Sequence, residues 1–203
     1  MLDRHARKLI DPPLNVAGRG LAAMGIGANT VTSAGLVLGL GAALAIVYGH
    51  MLIGLALIIA SRLADGLDGA IARASKTTDL GGFLDITFDF FFYAAVPLAF
   101  LIHDPQANAL AGAVLLASFY ASGTTFLAFA VMAEKRGMAT SSQGIKSLYY
   151  LGGLAEGTET IAAFVLMCLW PASFAMIAWV FAGLCFLSAA TRVINVAYIL
   201  TRR

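Results

Sequence analysis

The sequence predicts an all-α, polytopic membrane protein with six transmembrane helices and an N-terminal interfacial amphipathic helix. Composition is the first observation behind this: of 203 residues, 60% are hydrophobic and only 12% charged, where a soluble domain carries about a quarter charged residues. Mean hydropathy is +0.86, which belongs to a chain whose solvent is mostly lipid. The second is that apolar segments long enough to cross a bilayer can be laid at 29–48, 51–73, 80–102, 108–133, 145–170 and 173–200. The third is charge placement. The connections at Gly49-His50, from His103 to Asn108 and around Pro171 carry no Lys or Arg. The alternate ends carry Arg4, Arg7, Lys8 and Arg19, then Arg73 and Lys76, then Lys135, Arg136 and Lys146, then Arg202 and Arg203. Basic residues stay on the cytoplasmic side, so both termini are expected there, as an even number of spans requires.

Thirteen Lys+Arg against 11 Asp+Glu leave a formal charge of +2, so no broad basic surface exists for nucleic acid to grip. Cys168 and Cys185 both lie in apolar runs without ligand spacing and read as small buried hydrophobes.

Taken in order, the N-terminal stretch mixes Leu2, Leu9 and Ile10 with Arg4, Arg7 and Lys8, after which Pro12-Pro13 is expected to turn the chain. Leu14, Val16, Leu21 and Met24 supply a second apolar face. An interfacial segment over about residues 1–25, with its basic side against anionic headgroups, fits this pattern. The absence of a long apolar region there argues against a cleaved signal peptide. The first span carries Gly35 and Gly39 and the fifth Gly153 and Gly157, a four-residue spacing that lets helix backbones approach, within the chain or in a homodimer. Pro97 is expected to kink the third span. Without repeats or linkers, residues 1–203 read as one domain whose six-helix bundle occupies about 29–200.

The second and third spans hold the chemistry. Arg62, Asp65, Asp68, Asp85, Asp89, Glu156, Glu159 and Arg192 all fall within spans, where a carboxylate costs several kcal/mol unless paired, hydrated or metal-bound. Asp65 and Asp68 are i,i+3 on one helix face, and Asp85 and Asp89 are i,i+4 on another. Counted from the turn near 75–80, the first pair lies roughly 15 and 10 Å deep and the second roughly 8 and 14 Å. The two pairs are level. Four like charges at one depth repel unless cations sit between them. Hard divalent ions, Mg²⁺ or Mn²⁺, are the simplest occupants, and four carboxylates suffice for two ions with shared ligands. Pairing with Arg62, Arg73 and Arg192 alone would leave more acids than bases. On a helical wheel Asp65, Asp68, Gly69, Ala72 and Arg73 span about 140°, so a flat or bulky anionic group has room between the acids and the guanidinium. The residues thus describe a metal-dependent site for a phosphate-bearing ligand, open toward the cytoplasmic headgroup layer.

Asp65-Gly66-Leu67-Asp68-Gly69-Ala70-Ile71-Ala72-Arg73, followed by Gly81, Asp85 and Asp89, resembles the signature of the CDP-alcohol phosphatidyltransferase family. Its usual form is Asp, two residues, Asp-Gly, two residues, Ala-Arg, about eight residues, Gly, three residues, Asp, three residues, Asp. Seven residues separate Arg73 from Gly81 here, which leaves open whether Gly81 or Gly82 takes the glycine role. Asn29 and Thr32 resemble the family's Asn-x-x-Thr, and over the whole chain the sequence is similar to a bacterial inner-membrane subgroup whose substrate is unsettled.

The resemblance implies a membrane enzyme of phospholipid biosynthesis in which an acceptor hydroxyl displaces CMP from a CDP-linked lipid donor such as CDP-diacylglycerol. It implies Asp65, Asp68, Asp85 and Asp89 as metal ligands, Asp89 also as general base, and Gly69, Ala72 and Arg73 as contacts of the CDP moiety. It further implies homodimers and a location in the bacterial inner membrane. For the acceptor, Lys135, Arg136, Lys146 and Arg192 suit a phosphorylated polyol, while Glu156 and Glu159, i,i+3 in the fifth span, suit an amine or polyol hydroxyls, or a buried network with Arg62 or Arg192. Tyr149 and Tyr150 read equally as interfacial anchors or ligand contacts. Intramembrane acids also mark ion pathways, so an ion-coupled transporter is the reading from a different class. It leaves the Gly, Ala and Arg set between the acids unexplained.

Overall fold

A computed structural model describes residues 3–137 and 157–201, with side chains from Ile10 onward. The described residues form seven α-helices and no strand: α1 (Asp3–Ala23), α2 (Ala28–Val47), α3 (Met51–Ala74), α4 (Asp79–His103), α5 (Pro105–Lys135), α6 (Gly157–Leu169) and α7 (Phe174–Thr201), with a 3-10 turn at Pro171–Ser173. All-helical architecture thus follows the hydropathy pattern, and the ends of α2, α3 and α4 fall within a residue of the expected spans. Four segments are long and apolar enough to cross a membrane: α2, α4, α5 and Pro171–Thr201. The 24 residues of α3 reach about 36 Å, a spanning length, but this helix carries Arg62, Asp65, Asp68 and Arg73. Of the expected fifth span, the 13 residues of α6 are described. Lys146, Tyr149, Tyr150, Gly153 and Glu156 lie outside the described residues.

Local chemistry sets the helix starts. Thr78 accepts a hydrogen bond from the Gly81 amide at 3.0 Å and, with Asp79 in the first turn, opens α4. Asp104 accepts from the Ala107 amide at 3.1 Å, and Pro105, whose missing N–H would be unpaired there anyway, begins α5. Gly49, at φ +82°, turns the chain between α2 and α3.

One expectation is corrected. Pro12 and Pro13 lie inside α1, which runs through them without a turn. Their missing N–H groups leave the carbonyls of Lys8 and Leu9 without helical donors. The carbonyls at a helix's unpaired positions can accept from groups outside the helix, so two prolines in its first half need not end it.

Packing divides the molecule into two ends. α2 is the common partner of α3 and α4, α5 packs on α7 and on α4, α1 lies on α3, and α6 meets α3 and α7. Phe92, Val96 and Phe100 of α4, Ile46, Ile58 and Leu115, and Phe164, Phe174 and Ala178 form the apolar core. Most of these lie toward the α2–α3 and α4–α5 connections, where Phe100 and Phe174 stack at 4.7 Å between centroids. Gly35 faces Ala64 and the Ser61 carbonyl of α3, and Gly39 faces Phe92 of α4 and the Ser61 hydroxyl, where an added Cβ would lie 2.7 Å from the Phe92 ring. These glycines therefore serve packing within the chain. The outward faces remain apolar: Val37, Leu52, Leu110 and Met176 are each more than 60% exposed, as a lipid-facing surface requires.

Candidate functional site

The acidic residues sit at the end opposite the aromatic core. Asp65 and Asp68 of α3 and Asp85 of α4 bring one carboxylate oxygen each to within 4.8 Å of one another. Asp68 is 5% exposed, and its Oδ2 has no hydrogen-bond partner among the described residues. An orphaned, desolvated carboxylate oxygen within a group of three acids is costly as it stands. It fits the all-oxygen donor set that a hard divalent cation takes.

Asp89 lies one turn along α4 and is held differently. The Arg62 Nη1 atom donates to its Oδ1 at 2.6 Å and stands 3.7 Å from Asp65 Oδ1. Arg62 itself is fixed by Ser61, whose hydroxyl accepts from Nη2 at 3.3 Å and donates to the Gly35 carbonyl at 2.7 Å. The guanidinium also lies 4.0 Å above the centroid of the Phe92 ring. A narrow cavity between α2, α3 and α4 joins Thr32, Arg62, Asp65, Asp68 and Asp89.

The small residues of the signature take two distinct places. Gly66 meets Leu14, and Ala70 meets Gly18, where an added Cβ would lie 2.6 Å from the Ala70 Cβ, so this face of α3 is covered by α1. Gly69 and Ala72 lie roughly 80° and 140° further round from the centre of that face, on the acidic side, and among the described residues a Cβ on Gly69 would meet only the Arg73 guanidinium, at 3.2 Å. Arg73, on the border of the two faces, donates to Asn15 Oδ1 of α1 at 2.9 Å. At the start of α4, Gly81 is the constrained glycine: a Cβ there would lie 3.1 Å from both Asn29 Oδ1 and Thr78 Oγ1, whereas Gly82 faces nothing within 4 Å. This geometry favours Gly81 as the signature glycine.

The remaining candidates are dispersed. Arg192 is buried between α7 and α5, where Nη1 donates to the Ser122 carbonyl at 2.9 Å and to Thr125 Oγ1 at 3.2 Å. It does not line the acidic cavity. Arg136 donates to the Leu200 carbonyl at 3.2 Å near the end of α7, and Lys135 is exposed beside it. Glu159 is half-buried in the first turn of α6. Asn15 carried no signal in the sequence, since its partner is 58 residues away. Arg62 carried one, the i,i+3 spacing to Asp65.

Apolar outer surfaces on helices that carry three converging carboxylates and a bordering arginine define a multi-pass membrane protein with a polar, acidic site. The chain belongs to the CDP-alcohol phosphatidyltransferase family, whose family model matches residues 26–201. It is 49% identical over 193 residues to the inner membrane protein YnjF of Escherichia coli K12, covering 95% of this chain and 94% of that one. It is 34% identical over 84 residues to the archaetidylinositol phosphate synthase of Pyrococcus horikoshii, 41% of this chain and 45% of that one. Among solved structures, the phosphatidylinositol phosphate synthase of Mycobacterium tuberculosis with CDP-DAG bound shares the fold, with a TM-score of 0.71 at 23% identity over 90% of this chain and 92% of that one. The same enzyme in complex with manganese and citrate matches with a TM-score of 0.71 at 22% identity, over 90% of this chain and 88% of that one.

Proposed function

We propose that the protein transfers a phosphatidyl or related phosphoryl-alcohol group from a CDP-linked lipid, CDP-diacylglycerol, to the hydroxyl of an acceptor alcohol and releases CMP. The observation that carries this reading is the convergence of Asp65, Asp68 and Asp85 within 4.8 Å in a chain of this family. Asp65, Asp68, Asp85 and Asp89 would hold Mg²⁺ or Mn²⁺, two ions in all, and the manganese complex of the mycobacterial enzyme supports that choice. Bound there, the ions would neutralise the pyrophosphate and stabilise the departing CMP. Gly69 and Ala72 leave room for the nucleotide, and Arg73 pairs with its phosphates. Asp89 takes the proton of the acceptor hydroxyl while that oxygen bonds to the lipid-side phosphorus. The bond from this phosphorus to the bridging oxygen breaks, and CMP leaves with the electron pair.

In this reading all of 1–203 is one domain of six spans with α1 at the interface and both termini cytoplasmic. It resides in a bacterial inner membrane, as the name of the Escherichia coli relative supports. The acceptor is a phosphorylated polyol. Two relatives named for inositol phosphate lipids support that class, and Lys135, Arg136, Lys146 and Arg192 are the cations available to its phosphate.

The test is CMP release from CDP-diacylglycerol by purified protein in lipid nanodiscs with Mn²⁺ or Mg²⁺ and a panel of alcohols. Metal-dependent release with glycerol phosphate or inositol phosphate is expected. Turnover only with serine, ethanolamine or choline would move acceptor binding to Glu156 and Glu159. No release with any alcohol, together with an ion flux insensitive to cytidine nucleotides, would replace the enzyme by a transporter.

A further inference from the structure

Arg62 stands between two of the four aspartates, 3.7 Å from Asp65 and 2.6 Å from Asp89, and it is Asp89 that takes its hydrogen bond. Asp65, Asp68 and Asp85 crowd together, whereas the Asp89 carboxylate is tied at 2.6 Å to a guanidinium reaching across from α3. That guanidinium has little freedom: its second amino group is on Ser61, its flat face is 4.0 Å from the Phe92 ring centroid, and its side chain is 17% exposed. Its Nε is buried without a hydrogen-bond partner among the described residues. A half-buried ion pair that leaves a donor unsatisfied contributes little net to folding, and replacing both of its members by apolar groups is often neutral or stabilising, although removing one member alone is destabilising. The arrangement is therefore poorly explained by stability. It does fix one carboxylate oxygen of Asp89.

We infer that Arg62 is a positioning residue that reserves Asp89 as the proton acceptor of the transfer reaction. This rests on the function proposed above. The hydroxyl proton passes to the Asp89 carboxylate as the new oxygen–phosphorus bond forms and the bond to CMP breaks, and Arg62 exchanges no atom. It acts by holding Asp89 in line with the incoming hydroxyl. Binding of the CDP-lipid, which rests on Arg73 and the other carboxylates, does not depend on it.

The experiment uses full-length protein in nanodiscs, CDP-diacylglycerol, Mn²⁺, and whichever alcohol supports wild-type turnover. Arg62→Met should lower kcat by at least about 10²-fold while the dissociation constant for CDP-diacylglycerol stays within about threefold; its thermal midpoint should fall, because Asp89 and Asp65 lose their cationic partner. Arg62→Lys, which keeps one donor for Asp89, should recover about tenfold or more of the lost rate. In an Asp89→Asn background, Arg62→Met should cause no further loss, because it acts through the group already removed. Multiplicative losses in the double variant, near wild-type turnover of Arg62→Met, or parallel loss of donor binding would each overturn the inference. Should Arg62→Met fail to fold, Arg62→Lys with and without Asp89→Asn decides the coupling. No CMP release by wild type with any alcohol overturns the functional reading, and this inference falls with it. Turnover by wild type without coupling overturns this inference alone.

Discussion

At the scale of single residues, the four aspartates divide by what surrounds them. Asp68 is buried with one oxygen unpartnered among the described residues, so its replacement removes one of the three converging carboxylate oxygens. Asp68→Asn should weaken Mn²⁺-dependent binding of the CDP-lipid by about tenfold or more, measured by equilibrium binding in nanodiscs. Asp89→Asn should leave that binding largely intact and lower turnover by at least about 10²-fold. Equal and near-complete turnover would reject Asp89 as the base. Gly81 and Gly82 make a second contrast in the first turn of α4. A methyl group on Gly81 would crowd Asn29 and Thr78 at 3.1 Å, while one on Gly82 meets open space. Gly82→Ala should be neutral or stabilising by up to about 1 kcal/mol through helix propensity. Gly81→Ala should be the less stable of the two in thermal unfolding, because the crowding offsets that gain.

At the scale of elements, α1 is more than an anchor. Gly18 packs so tightly on Ala70 that a Cβ there would lie 2.6 Å from the Ala70 Cβ and 2.9 Å from its carbonyl carbon, and Asn15 holds Arg73 three residues further along α3. Gly18→Leu cannot be absorbed by a rotamer change, since the obstruction includes backbone. α1 must lift, and Asn15 with it. The expected result is faster tryptic cleavage at Arg19 and roughly tenfold weaker CDP-lipid binding, one charge-assisted contact being worth about 1.5–3 kcal/mol. Unchanged cleavage and binding would show that α1 does not organise the Arg73 side of the site. α2 plays the corresponding part for the acids, because Gly35 and Gly39 admit α3 and α4 to its surface and so set the separation of their carboxylates.

At the scale of the whole molecule, the aromatic core occupies one end of the bundle and the charged cavity the other. Removing metal should therefore abolish turnover without unfolding the protein, since Phe100 and Phe174 stack at the far end of the bundle, away from the carboxylates. Chelation followed by a thermal midpoint within a few degrees of the untreated protein, with activity restored by Mn²⁺, is the expected outcome. Collapse of the fold on chelation would make the ion structural. A homodimer remains a proposal from the family resemblance, and Gly35 and Gly39 do not argue for it because they are spent inside the chain. A mass in nanodiscs corresponding only to the monomer would reject it.

The sequence by itself determined the helical, membrane-embedded class, most helix boundaries and the grouping of the aspartates. Lipid admits only long apolar helices or closed barrels, and helical periodicity carries i,i+3 and i,i+4 residues to one face whatever the neighbours are. Tertiary structure alone decided that Arg62 claims Asp89, that Arg73 reaches Asn15, that Gly81 and not Gly82 is crowded, and that α1 continues through Pro12 and Pro13. The first three depend on which side chains meet across helices 27 to 58 residues apart in the chain, or from one helix end to the next, and the last on whether two carbonyls can be satisfied outside the helix. None of these is a property of spacing, so local pattern could name the participants without assigning their partners.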